Sequence, residues 1–143
     1  MLVVATDYQG CAVIGDMVSG MAKNAGITAL VTDGMVRDLE GIVDVGLPVF
    51  CKGLSPNSPE HNGPGTVNLP IQIGGLTVAA GDLICGDLDG VVVVPHAQIE
   101  DAAAKLSDFL EAELALLSRI RRGLVVPDHT EELLASDKVV FVD

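Results

Sequence analysis

The stretch whose reading decides the fold is residues 15–38, GDMVSGMAKNAGITALVTDGMVRD. It opens with an acid, Asp16, at the head of an apolar helical run, and Gly26 stands where a left-handed helix stop is expected. Residues 27–32, ITALVT, read as a strand, and Asp33-Gly34 as the tight turn after it. An Arg-Asp pair, Arg37 and Asp38, closes the stretch, with twenty residues between Asp16 and Arg37. Helix, strand and turn are expected to fold back so that Asp16, Arg37 and Asp38 share one pocket. Position supports this, because the carboxyl ends of parallel strands are where α/β sheets bind ligands.

Working outward, residues 2–6, LVVAT, read as a buried strand that starts almost at the initiator Met, and residues 7–10 as a turn. Residues 11–24 carry apolar positions at helical spacing, with Gly15 near the N-terminal part. On the other side lie a short helix over 38–44, a stop at Gly46 and a third strand over 48–52. Strand–helix–strand–helix–strand predicts a parallel α/β layer. Residues 53–65, rich in Pro, Gly, Asn and Ser, form a long loop of the kind that more often carries function than structure.

Short β segments follow at 67–73, 76–79, 83–85 and 91–94, punctuated by Gly-Gly, Ala-Gly-Asp and Asp-Leu-Asp-Gly. They predict a second, antiparallel or mixed β layer. Pro95 stops the last strand and opens a helix over about 96–122, closed by Gly123. Ile99, Ala103, Leu106, Leu110, Leu114, Leu117 and Ile120 fall on one face, expected to serve as core or subunit contact. The tail reads as a helical patch at 131–135 and a final strand at 139–142. No repeat or boundary interrupts the chain, so one α/β domain over residues 1–143 is expected.

Composition narrows the function classes. Nearly half the residues are hydrophobic, enough for a folded aliphatic core in a chain of this length. Trp is absent and aromatics are scarce, which argues against nucleic-acid stacking surfaces, and the net charge of -12 would repel a phosphate backbone. The same charge means that a small anionic ligand needs a local cation, a metal or an Arg, to be held. No apolar run approaches the ~20 residues that span a bilayer, and the N-terminus lacks signal-peptide features, so a cytoplasmic location is expected. Cys11, Cys51 and Cys85 sit far apart among apolar neighbours and read as buried thiols rather than a zinc site or disulfide framework.

Several residue types could carry chemistry, each with a plainer reading beside it. Asp16 at a helix start is either a first-turn acid favoured by the helix dipole, or a neighbour of free amides at Met17, Val18 and Ser19 that bind an anion. Arg37-Asp38 is either a solvated turn pair or part of a pocket. Asp82, Asp87 and Asp89 lie between Gly-punctuated strands and read as turn formers rather than a second metal site. His61 reads as a solvated loop residue with proton transfer as the alternative. His96 reads as a first-turn residue rather than a phosphohistidine.

The DGMVRD segment with Asp16 upstream resembles the Asp-x20-Arg-Asp motif of metal-dependent pyruvate aldolases. These are the 4-hydroxy-4-methyl-2-oxoglutarate and 4-carboxy-4-hydroxy-2-oxoadipate aldolases, related to the regulator of ribonuclease E activity A, formerly taken for a demethylmenaquinone methyltransferase. The likeness extends through GLPVFCKG (46–53), VNLPIQIGGLTVAAGDLICGDLDGVVVVP (67–95) and the long helix with Glu111 and Glu113, about residues 2–123 in all. The resemblance implies a swivelling β/β/α fold and a homotrimer or homohexamer with sites between subunits. It implies that Asp38 binds Mg2+ or Mn2+ directly and that Asp16 does so through water. Arg37 would contact the 2-oxo and enolate oxygens of pyruvate, the amides of Met17 and Val18 its carboxylate. Glu113, or failing it Glu111, would act as an acid in a neighbouring subunit's site. The implied activity is retro-aldol cleavage of 4-hydroxy-2-oxo acids with oxaloacetate decarboxylation as a side reaction, and the alternative is a non-catalytic regulator. That regulatory branch tends to lose the Asp after the Arg, so Asp38 favours the lyase. Family members carry an N-terminal region ahead of the strand that begins here at residue 2. Either the chain is an N-terminally shortened homologue or its true start lies upstream, and in both cases exposed apolar surface is expected to favour self-association.

Overall fold

Between Cys11 and Gly15 the chain forms a strand, β2 (Ala12–Ile14), and not the first turn of a helix. The helical spacing expected over 11–24 therefore applies only from Asp16 onward, in α1 (Asp16–Asn24). Ala12 and Ile14 point inward and are buried, as β-strand alternation requires. Gly15, in an extended conformation, makes the turn from strand to helix. The computed structural model describes residues 1–60 and 62–141.

The strands alternate between two parallel sheets. β1 (Leu2–Val4), β3 (Leu30–Thr32) and β5 (Val49–Phe50) form the first, with β3 in the centre. β2, β4 (Met35–Val36) and β6 (Gly53–Leu54) form the second, with β4 in the centre. The parallel strand–helix–strand–helix–strand layer is present, and the Asp33-Gly34 turn passes the chain from β3 to β4. Gly34 is required there by close approach: a Cβ would stand 2.6 Å from Thr6 Cγ2 and 3.0 Å from Val13 Cγ2. The first strand is less buried than expected, since β1 is an edge and Leu2 is exposed.

Helix ends follow local rules. α1 stops in a Schellman motif: Gly26 has φ +80°, its amide donates to Lys23 O, and the Ile27 amide donates to Ala22 O. α2 (Leu39–Val45) starts at Asp38, which is itself left-handed at φ 58°, and stops at left-handed Gly46. Ile14, Ala22, Leu30, Val36, Ile42 and Leu47 form the core between these helices and sheets.

The segments expected over 67–94 are two antiparallel hairpins. β7 (Ile71–Ile73) pairs with β8 (Leu76–Val78) across Gly74-Gly75, both at positive φ as a type I′ turn demands. β9 (Leu83–Gly86) pairs with β10 (Val91–Val94). Asp82 ties the second hairpin's two ends, accepting from the amides of Ala79 and His96 at 2.9 Å each. Those two backbone hydrogen bonds hold its carboxyl below the usual carboxylate range. Asp87 Oδ1 accepts from the Asp89 amide at 2.8 Å, so Asp82 and Asp87 do turn chemistry. The cysteines depart from expectation: Cys51 and Cys85 are exposed and Cys11 half-buried, Cys51 lying in the link between β5 and β6 and Cys85 on the face of β9 opposite the half-buried Ile84.

The chain divides into two compact units, Met1–Ile99 and Glu100–Asp143. The second holds most of α3 (Ile99–Arg121), preceded by a single 3-10 turn, His96–Gln98, and α4 (Asp128–Leu134). Gly123 closes α3 as expected, at φ +100°. Arg119 and Asp128 form an ion pair at 2.6 Å between the helices, which raises the Arg119 pKa and lowers that of Asp128. No α3 residue is buried, and Leu106, Leu110, Leu114, Leu117 and Ile120 are all exposed. Residues 139–141 form no strand, so the expected final strand is absent there, and Val142 lies outside the described residues. No described helix is long and apolar enough to cross a membrane.

Candidate functional site

Two helix starts meet at the site. α1 begins directly after β2 and α2 directly after β4, and these strands are paired neighbours. The Arg37 amide donates to Ile14 O at 3.0 Å, so the residue entering α2 is tied to the last residue before Gly15. A Cβ on Gly15 would stand 2.6 Å from Asp38 Oδ2, 3.3 Å from Arg37 Cγ and 3.4 Å from Arg37 Nε. A Cβ on Gly41, in the first turns of α2, would stand 2.6 Å from Asp16 Oδ2 and 2.7 Å from Asp16 Cβ. Each acid therefore packs on a glycine of the other's element. The helix starts that carry Asp16 and Arg37-Asp38 therefore adjoin, but Asp16 lines neither of the two clefts beside Arg37, so the single pocket expected for all three is not what these clefts form.

Within the cluster, Arg37 Nε lies 3.3 Å from Asp38 Oδ2, both side chains being roughly 40% exposed (35% and 43%). The other end of the guanidinium donates from Nη1 to Ser58 Oγ. Asp16 Oδ1 accepts from the Met17 amide at 2.6 Å, so a ligand carboxylate reaching that amide must displace Asp16. Val18 follows in the turn whose amides have no intrahelical acceptor. Ser19 is fully buried and donates its hydroxyl to Gly15 O at 2.9 Å, pinning the helix start.

Two open clefts flank Arg37. The larger, about 370 Å³, is lined by Arg37, Asp38, Leu39, Leu54, Ser55 and Pro56. The smaller, about 150 Å³, runs over β2 to Gly15 and Val18 and ends at Ser58 and Pro59. Among the described residues no three His, Cys, Asp or Glu side chains converge as a ready-made metal cage. The donor set here is two carboxylates with Asp16 Oδ2 and Asp38 Oδ1 unengaged by hydrogen bonds among the described residues. All-oxygen sites of one or two carboxylates suit Mg2+ or Mn2+, which keep several waters, so the residues fit such an ion. Glu113 and Glu111 lie exposed on α3, in the second unit. His61 lies outside the described residues. Ser58 was missed by sequence reasoning; its only signal was a Ser-Pro repeat in the loop.

The chain belongs to the RraA-like family, described as Aldolase/RraA, which matches residues 1–93. It is 42% identical over 106 residues to a Halalkalibacterium halodurans protein named "Putative 4-hydroxy-4-methyl-2-oxoglutarate aldolase", covering 72% of this chain and 50% of the relative. A crystal structure of an uncharacterized Pseudomonas syringae protein superposes with a TM-score of 0.76 at 26% identity, over 86% of this chain and 62% of that one. The RNA-processing inhibitor RraA from Thermus thermophilis gives 0.62 at 26% identity, over 66% of this chain and 58% of that one. The chain thus spans about half the length of most of the curated relatives it matches.

Proposed function

We propose that this chain is a divalent-metal-dependent carbon–carbon lyase that makes or cleaves pyruvate through its enolate, taking 4-hydroxy-2-oxo acids and decarboxylating oxaloacetate. The observation that carries the reading is the packing of Arg37 and Asp38 on Gly15, beside Asp16 at the start of α1. Cleavage beta to a carbonyl leaves negative charge on the former 2-oxo oxygen. Arg37, held at both ends of its guanidinium, would stabilise that charge without reorganising. The Val18 amide and its neighbours at the start of α1 suit the pyruvate carboxylate. Asp38 and Asp16 would hold Mg2+ or Mn2+, which when bound supplies a Lewis acid for the 2-oxo group. The full reading includes assembly as a trimer or hexamer, with Glu113 of the partner subunit, or Glu111, delivering the proton. The exposed apolar face of α3 supports self-association.

The test is pyruvate release from oxaloacetate and from 4-hydroxy-4-methyl-2-oxoglutarate, with Mg2+ or EDTA, by wild type and Arg37→Ala. Expected is turnover that needs metal and falls at least about a hundredfold in the variant. No metal-dependent release above buffer background overturns it. The likeness to the Thermus RNA-processing inhibitor favours a second reading, a non-catalytic regulator without metal-dependent turnover, whereas Mn2+ binding without turnover would mark an inactive homologue with another role.

A further inference from the structure

The geometry points to Ser58 as the residue that positions the Arg37 guanidinium, an assignment that rests on the proposed lyase reading for its catalytic consequence. Three observations carry it. Ser58 Oγ accepts from Arg37 Nη1 while Asp38 holds Nε, so the guanidinium plane is fixed at two edges and presents its remaining donors to the clefts. Ser58 is itself delivered by a short strap tied to both strands of the site. The Ser55 amide donates to Val36 O at 2.9 Å, the Ala12 amide donates to Asn57 O at 3.0 Å, and Asn57 Nδ2 donates to Gly10 O at 2.9 Å. The strap also separates the clefts, with Ser55 and Pro56 on the larger and Ser58 and Pro59 on the smaller.

The sequence explains why this segment holds still. In SPNSP, residues 55–59, both serines precede proline and are kept out of the helical region. A half-exposed arginine without such a tether samples many rotamers, and the ordering must then be repeated at every turnover. Hydroxyl-to-guanidinium bonds are charge-assisted, so losing this one is felt at the reacting group although Ser58 need not touch substrate.

The test is a double-mutant cycle on oxaloacetate decarboxylation with Ser58→Ala, Arg37→Ala and both, together with Ser58→Thr. Expected is about a tenfold fall in kcat for Ser58→Ala with little change in KM. Ser58→Thr, which keeps the hydroxyl, stays within about threefold of wild type. In the Arg37→Ala background Ser58→Ala costs nothing more, because its effect passes through the guanidinium. An equal loss with and without Arg37 overturns the assignment. A readout independent of turnover is the Arg37 Nε–H signal in a nitrogen–proton NMR spectrum, identified by its disappearance in Arg37→Lys. In Ser58→Ala it should shift and exchange faster with water; an unchanged signal refutes positioning outright. If the signal responds but wild type makes no pyruvate, the lyase reading fails and the positioning role stands.

Discussion

Two glycines five residues apart at one helix predict opposite outcomes for the same substitution. Gly15 and Gly20 both have space set by their neighbours rather than by positive φ, so Ala is conformationally permitted at each. At Gly15 the new Cβ meets Asp38 Oδ2 at 2.6 Å, so the carboxylate must retreat by about 0.8 Å to reach ordinary contact near 3.4 Å. Arg37 Nε, paired to that same oxygen, is carried with it. Misplacement of a catalytic group by about 1 Å costs on the order of a hundredfold, and a half-exposed carboxylate can relieve part of it. Gly15→Ala should therefore lower kcat for oxaloacetate by about 10- to 100-fold, with about 0.5–1 kcal/mol of stability lost at the N-cap. At Gly20, inside α1, the nearest atom is Val45 Cγ2 at 3.9 Å. Gly20→Ala should leave kcat unchanged and raise stability by about 1 kcal/mol through helix propensity. Initial rates with saturating Mg2+, alongside thermal unfolding by circular dichroism, give both numbers. A Gly15→Ala protein within twofold of wild-type kcat would show that the Arg37–Asp38 geometry is not what the reaction depends on.

Other sites give sharper structural tests. Gly26→Ala forces a left-handed alanine into the Schellman stop and should cost about 1–2 kcal/mol with activity retained, as read by urea unfolding. Ser19→Ala removes a buried hydroxyl, but Gly15 O keeps the Ser19 amide at 3.1 Å, so the loss in the same assay should stay near or below about 1 kcal/mol. Asp82 has a lowered folded pKa, so its contribution is present above the unfolded value and fades only as pH falls through the depressed one. Hydrogen exchange at the Ala79 and His96 amides should stay protected through the ordinary Asp titration range and weaken below it, and Asp82→Ala should lose that protection at every pH. The Arg119–Asp128 pair is exposed, so Asp128→Asn should shift the melting of the second unit at low salt and not at about 1 M salt.

Much of the site could be read because its signals are local. The Gly26 stop ends α1 and the Asp33-Gly34 turn passes the chain from β3 to β4, so both lie on the path that brings Asp16 near Arg37 and Asp38. What escaped detection was short. β2 has three residues and runs into helical spacing, and β4 has two, hidden behind an Asp-Gly turn, so neither shows a period of two. The second parallel sheet was thus invisible although it carries the charged residues. Thiol burial was misjudged because an apolar neighbourhood in sequence does not say whether another layer covers the strand. Ser58 reaches Arg37 only through the strap's path, which depends on hydrogen bonds to Gly10, Ala12 and Val36 that spacing does not reveal.

The interleaving of the two parallel sheets bears on how the chain folds. β1, β3 and β5 alternate along the chain with β2, β4 and β6, so no contiguous segment can finish one sheet and leave the other for later. Each pairing closes a loop that contains a strand of the other sheet, which delays reward until most of the first 54 residues have condensed. The two sheets should accordingly open as one foldon, their amides exchanging with a common free energy, while the hairpins beyond residue 70 open on their own.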